Sequence, residues 1–232
     1  MTADIRAARA AVLHQLADLV DAARRPHPVR VAVDGPDAAG KTTLADELAD
    51  TVRQRGREVV RASVDGFHRP RAERYRRGED SAVGYFEDAF DYPALRGSLL
   101  DPLGPGGDRR HVVSVFDFRT DKACAGEIEV AGPDAVLIVD GVFLLRACLR
   151  DAFDVRIFCT IGFDEILRRA CRRDVELFGS EDEVVRRYRD RYLPAQRLYF
   201  ATDRPELAAD AVVDNEDPDN PTVRMRNART RP

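Results

Sequence analysis

Apolar residues in this chain alternate between short continuous runs and longer stretches where they recur every three or four positions. Residues 29–34 (VRVAVD) form a brief apolar run that ends at Gly35, which predicts a strand buried on both faces of a parallel sheet. Residues 41–55 then place Leu44, Leu48 and Val52 on one face of a helix. Further strands are predicted at 58–64, at 135–139 (AVLIV, the strongest), at 154–161 and, short, at 211–213. Arg-rich helices are expected over 163–175 and 181–200. Residues 66–110 are irregular and turn-rich, with the breaker stretch DPLGPGGD at 101–108, and the strand-like pieces 111–116 and 127–131 could form a hairpin. At the start, Ile5, Ala8, Val12, Leu16, Leu19 and Val20 share one helical stripe with charges between them, so residues 1–25 do not read as an export signal.

Strands separated by helices imply one α/β domain whose parallel sheet is covered on both faces. The expected organisation is an N-terminal helix at 1–28, a domain at 29–217 with a helical lid at about 164–182 and a small hairpin insertion, and a disordered polar tail at 218–232.

Charge narrows the function classes. The 232 residues carry 41 acidic and 37 basic side chains, of which only Lys41 and Lys122 are lysine, and the net charge is −4. This mild acidity argues against a dedicated nucleic-acid binder, and the Arg-rich end (Arg224, Arg226, Arg229, Arg231) reads as solvated charge. No apolar run is long enough for a membrane-spanning helix. Four widely spaced cysteines with no CxxC pair read as reduced packing residues of a cytoplasmic protein. A homo-oligomer is compatible with this composition.

Lys41 lies in Gly35-Pro36-Asp37-Ala38-Ala39-Gly40-Lys41-Thr42, which fits GxxxxGK[ST] between an apolar strand and an amphipathic helix. This context predicts a P-loop NTPase three-layer sandwich. Glycines let backbone N–H groups turn toward phosphate oxygens, and the helix N-terminus adds partial positive charge. Lysine supplies a compact point charge where arginine's planar fork would not fit. Gly35, Asp37, Ala38, Ala39, Gly40, Lys41, Thr42 and Thr43 are therefore expected to hold ATP, with Thr42 offering its hydroxyl to Mg²⁺. No NKxD base-recognition motif and no LSGGQ-like signature is present, which sets aside ordinary GTPases and ABC ATPases.

Two carboxylates follow strands. Asp140 after AVLIV should reach the edge where ligands bind in such sheets, and is a candidate Mg²⁺ ligand. Asp65 in Val64-Asp65-Gly66-Phe67-His68 should share that edge, where it could accept a proton from an attacking hydroxyl or complete the magnesium shell. Both residues also precede or sit beside glycine, as simple turns do.

These residues resemble the uridine/cytidine kinase group of P-loop kinases, with wider kinship to phosphoribulokinase and bacterial-type pantothenate kinase. The likeness spans most of 29–217. Asp65-Gly66-Phe67-His68 is similar to the group's Asp-x-Phe-Tyr, which implies Asp65 as the base; His68 either contacts the acceptor or caps the loop. Phe90-Asp91-Tyr92-Pro93 resembles Phe-Asp-x-Pro, which implies that Asp91 grips ribose hydroxyls, with Tyr92 next to it. Val115-Phe116-Asp117-Phe118 resembles Tyr-Asp-Phe, which implies that Phe116 stacks on a base, with Arg119 close by. Val139-Asp140-Gly141 stands where the group has apolar-Glu-Gly. Arg169, Arg172 and Arg173, before Asp174, resemble the lid's Arg-x-x-Arg-Asp and are expected to face the transferring phosphoryl group. Tyr192-Leu193-Pro194 falls where the group has a Pro-containing helix.

The chain also departs from that pattern. His68 replaces Tyr, the base-reading His falls near Asp121, and Glu176-Leu177-Phe178-Gly179-Ser180 replaces Arg-Gly-Arg. Phosphoryl-transfer parts are better preserved than base-reading parts. The resemblance implies an ATP-dependent kinase acting on a hydroxyl, first the 5′-hydroxyl of uridine or cytidine. Pantothenate, a sugar or a sugar phosphate is the alternative acceptor, and a nucleotide-binding switch the rival of another class.

Overall fold

Six strands build the main sheet: β1 (Val29–Asp34), β2 (Val59–Ser63), β3 (Val136–Gly141), β4 (Val155–Thr160), β5 (Ala211–Asp214) and β6 (Thr222–Met225). Their order is β6-β5-β4-β1-β3-β2, parallel except where β6 runs antiparallel to β5. The computed structural model describes residues 2–226, with side chains from residue 7 onward. Every residue of β1 and β3 is buried, as a parallel sheet covered on both faces requires.

Alternate residues of these strands feed two separate cores. On one face Val31, Val33, Ile138 and Ile157 meet Leu44, Leu48 and Val52 of α2 (Lys41–Gln54). The same cluster includes Val12, Leu16 and Val20 of α1 (Thr2–Ala22). Leu16 and Val20 are fully buried, and each such side chain contributes about 1.5–3 kcal/mol. The N-terminal helix is thus part of the core. Ile5 of the expected stripe lies outside the described side chains. On the other face Ala32, Leu137, Val139 and Phe158 pack against Phe86, Phe143 and Tyr199.

Several local expectations are corrected. The irregular 66–110 stretch contains α3 (Ala82–Asp88), started by Ser81, whose Oγ accepts from the Gly84 N–H at 3.0 Å. The helix expected as a lid is α4, Phe163–Arg173, followed by a single turn at Val175–Phe178. The predicted helix 181–200 is α5 (Glu181–Arg187), a wide π turn at Tyr188–Tyr192, and α6 (Leu193–Asp203). Pro194 has no N–H to give the preceding turn, so the regular ladder is interrupted there. The hairpin is two short ladders, Arg110–His111 with Glu129–Val130 and Phe116–Asp117 with Lys122–Ala123. The tail expected to be disordered from 218 instead supplies β6, because β5 offers it an unpaired edge, and Arg226 Nη1 donates to the Glu206 carbonyl at 2.8 Å. Arg229 and Arg231 lie outside the described residues.

Asp34 ends β1 with no exposure. Burial pushes its carboxyl up to about 6, opposed by hydrogen bonds from the Tyr199 hydroxyl, the Leu145 N–H at 3.0 Å and the Gly35 N–H at 2.7 Å. Tyr199→Phe removes one donor from this buried carboxylate and is expected to cost about 1–3 kcal/mol of stability. Urea unfolding reads this directly, and an unchanged midpoint would show that the bond contributes nothing.

Candidate active site

The P-loop turns from β1 into α2. Ala38 (φ 59°) and Gly40 (φ 79°) both take left-handed backbone, strained for alanine and natural for glycine. Gly35 is needed for close approach, since a Cβ there would sit 2.5 Å from the Cys159 carbonyl oxygen. No side chain caps α2, so its first N–H groups are available to phosphate. Lys41 is buried, and its Nζ reaches back across the loop to donate to the Pro36 carbonyl at 2.6 Å. The Thr42 hydroxyl donates to Asp140 Oδ2 at 2.6 Å. Register places Asp140 between Val33 and Ser63, at the C-terminal strand edge. Arg61 of β2 donates to the other Asp140 oxygen at 3.1 Å and fixes its orientation.

A cleft of about 490 Å³ opens over this loop. Lys41, Thr42 and Thr43 form its floor, and Arg169, Arg172 and Arg173 of α4 hang over it. Arg169 is tied down by Glu165 Oε1 at 2.5 Å and the Asn215 carbonyl at 2.7 Å, and Arg168 and Arg169 in turn hold the Glu165 carboxyl at about 2. Arg9 of α1 and Asn215, after β5, complete the wall. Asn215 Nδ2 donates to the Ala39 carbonyl at 2.7 Å.

A second cavity of about 600 Å³ adjoins it, and Arg173 borders both. Arg173 Nε is held by Asp174 Oδ1 at 2.6 Å, and Tyr188 donates to the other Asp174 oxygen at 2.8 Å. Asp65 stands at the end of β2 on a tight turn whose start is capped by Ser63. Its side chain is 56% exposed and lines the wall of this concave cavity. That enclosure raises its carboxyl above the ordinary value, with the Asp140 and Asp37 charges adding to the rise and His68 and Lys41 opposing it. Enclosure likewise lowers His68, partly offset by Asp65. The His68 ring lies between Phe90 (centroids 4.5 Å apart) and Phe118 (4.9 Å), and its Nδ1–H donates to the Asp65 carbonyl at 3.0 Å. This bond assigns the imidazole proton to Nδ1 and leaves Nε2 as acceptor.

Not every predicted site residue reaches a cavity. Asp37, expected at ATP, faces the second cavity and is held by the Tyr85 hydroxyl at 3.1 Å and Gln196 Nε2 at 3.3 Å. Asp91 is spent on a helix cap, its Oδ1 accepting the Ala94 N–H at 2.9 Å, and it does not line the cavity. Tyr92 packs against the core beside Phe90 and under Arg146. Phe116 is buried, and Phe118 and Arg119 take the wall instead. Lys122 is exposed opposite Asp117 in the hairpin, away from both cavities. Among the wall residues that the sequence reading missed are Tyr75, Tyr85, Phe178, Tyr188 and Arg191.

A strand-end P-loop with a Thr–Asp pair, next to an enclosed carboxylate, is the layout of a phosphotransferase. No family model matches the chain. It is 27% identical over 176 residues to a uridine kinase of Chlamydia pneumoniae, covering 75% of this chain and 77% of that protein. A solved structure described as a possible uridine kinase from Bacillus stearothermophilus superposes with a TM-score of 0.69 at 23% identity, over 86% of this chain and 96% of that one. In sequence and fold this chain resembles uridine kinase-like P-loop kinases. It is an ATP-dependent phosphotransferase acting on a hydroxyl. The kinase also matches a protein attributed to a fructose transport system as its kinase in Silicibacter sp. TM1040, with a TM-score of 0.70 and 25% identity over 82% of this chain and 95% of that one. Among the described residues no helix is long and apolar enough to cross a membrane.

Proposed function

We propose that the kinase binds ATP in the P-loop cleft and passes its γ-phosphoryl group, at Arg173, to a hydroxyl held in the adjoining cavity. The observation that carries this is the shared wall: Arg173 borders both spaces, so donor and acceptor meet at one cation. The acceptor oxygen attacks the γ-phosphorus, its proton goes to Asp65, and the bond to the β–γ bridging oxygen breaks to release ADP. Arg173 and Lys41 offset charge on the transferring group. Arg169 positions the lid helix, because its guanidinium is committed to Glu165 and Asn215.

Thr42 and Asp140 fit a magnesium ion. Both present hard oxygens, 2.6 Å apart, beside the phosphate cradle, and Mg²⁺ takes few protein ligands alongside phosphates and water. When bound, the ion would neutralise phosphate charge.

The relatives named uridine kinase make the 5′-hydroxyl of uridine or cytidine the first acceptor to consider. A non-nucleoside acceptor is the second reading, favoured by Asp121. It stands near the place of the group's base-reading His, yet it is engaged by the Arg71 N–H at 2.8 Å and Arg74 at 3.0 Å. ADP formation should be measured with uridine, cytidine, pantothenate, ribulose 5-phosphate and simple sugars. Acceptor-dependent ADP formation supports the kinase reading. Slow hydrolysis that no acceptor accelerates would favour a nucleotide switch.

A further inference from the structure

Three guanidiniums gather in the acceptor cavity around one ring. The Cζ atoms of Arg191, Arg74 and Arg71 lie 4.8, 5.6 and 5.9 Å from the centroid of Tyr75. All four residues line the cavity. Like charges this close repel unless something negative lies among them. Among the described residues a single carboxylate, Asp121, pairs with the cluster, through Arg74.

Arg191 is the least compensated. It is only 4% exposed, and its Nη1 donates to the Glu79 and Ser81 carbonyls at 2.7 and 3.2 Å. The faces of Tyr75 and Tyr85 flank it, and it forms no ion pair among the described residues. Arg74 is 7% exposed, and its Nε has no hydrogen-bond partner. A buried guanidinium without an anion is costly, and its unused N–H groups form a planar fork suited to carboxylate or phosphate oxygens. The π turn at Tyr188–Tyr192 carries Arg191 on the same wall as Tyr188 and Tyr192.

We propose that Arg191 and Arg74 form an anion-binding subsite of the acceptor cavity, so that the preferred acceptor is a hydroxyl compound bearing a carboxylate or phosphate group. The inference rests on the kinase reading above and narrows its acceptor class. The anionic group docks at the arginines, and the reacting hydroxyl is presented to Asp65. Tyr75 lies beside the carbon skeleton. A neutral nucleoside would leave Arg191 without a counter-charge and Arg74 with Asp121 alone.

The test is kcat/KM for a neutral set (uridine, cytidine, ribose) against an anionic set (D-glycerate and pantothenate for carboxylate, ribulose 5-phosphate for phosphate). The anionic set should lead by at least about tenfold, the size of one charge-assisted contact. Arg191→Gln should lower kcat/KM for the leading anionic acceptor by at least about tenfold more than for the neutral set, with the KM for ATP little changed. Arg74→Gln serves as the second variant should the first fail to fold, and Arg191→Lys should recover part of the loss. Preference for uridine or cytidine in the unmodified enzyme would overturn the subsite and leave the kinase reading standing. So would an equal loss for both sets in Arg191→Gln. No acceptor-dependent ADP formation with either set would overturn the kinase reading and the subsite with it.

Discussion

Lys41→Ala should reduce turnover by more than about a hundredfold, the range seen when a donor to transition-state charge is removed. Lys41 is buried at the first turn of α2, and its Nζ already spans the loop to the Pro36 carbonyl at 2.6 Å. A single ammonium thus hydrogen-bonds across the loop from within, while the arginines of α4 reach the cleft from above. Arginine should not rescue it, because the planar fork needs width that a loop closed by Gly35 against Cys159 does not provide. Steady-state turnover of Lys41→Ala and Lys41→Arg at saturating ATP measures this, with thermal melting to confirm folding. Wild-type rates in either variant would remove Lys41 from the mechanism.

The second large effect is expected at Asp65. Asp65→Asn keeps the size of the side chain and loses the base, and should cut kcat by about a hundredfold or more with the KM for ATP little changed. The pH profile supplies an independent sign. Enclosure, reinforced by Asp140 and Asp37, raises the Asp65 carboxyl, and the base works only when ionised. Activity should therefore fall as pH drops through a value above the ordinary carboxylate range, and this acid limb should be absent from the residual activity of Asp65→Asn. A turnover loss below about threefold would assign the proton to another group. Asp37 is the alternative in the same wall.

The parts legible in the sequence are those fixed by neighbours along the chain. GxxxxGK[ST] is contiguous, so its loop, Lys41 and Thr42 could be read without knowing the fold. Asp65 and Asp140 were legible because a parallel strand delivers its last residues to one edge. The acceptor wall was not, because it is assembled from distant segments. Arg191 bonds the carbonyl of Glu79, and Tyr85 bonds Asp37, across long separations in sequence. In a chain with 35 arginines, nothing local marks Arg191 or Arg74 as buried. Phe116 and Phe118 differ only in how the hairpin between them and Ala123 folds over, which a period-two pattern cannot decide. Asp91 carried a signal that was open to use: an Asp three residues before Ala94, with Pro93 in the first turn, is an N-cap arrangement. The N-terminal helix was legible as amphipathic. Its reach to the donor cleft through Arg9, which donates to Glu47 at 2.7 Å and to the Pro218 carbonyl at 3.0 Å, depends on tertiary packing.

The most direct measurement is the fate of the γ-phosphoryl group. ATP labelled at that position should be incubated with the enzyme, Mg²⁺ and each acceptor in turn, and the products separated. The expected result is label in a phosphorylated small molecule, formed only when an acceptor is present and lost in Asp65→Asn. Label recovered only as inorganic phosphate, at a rate indifferent to acceptor and to Asp65, would contradict the account.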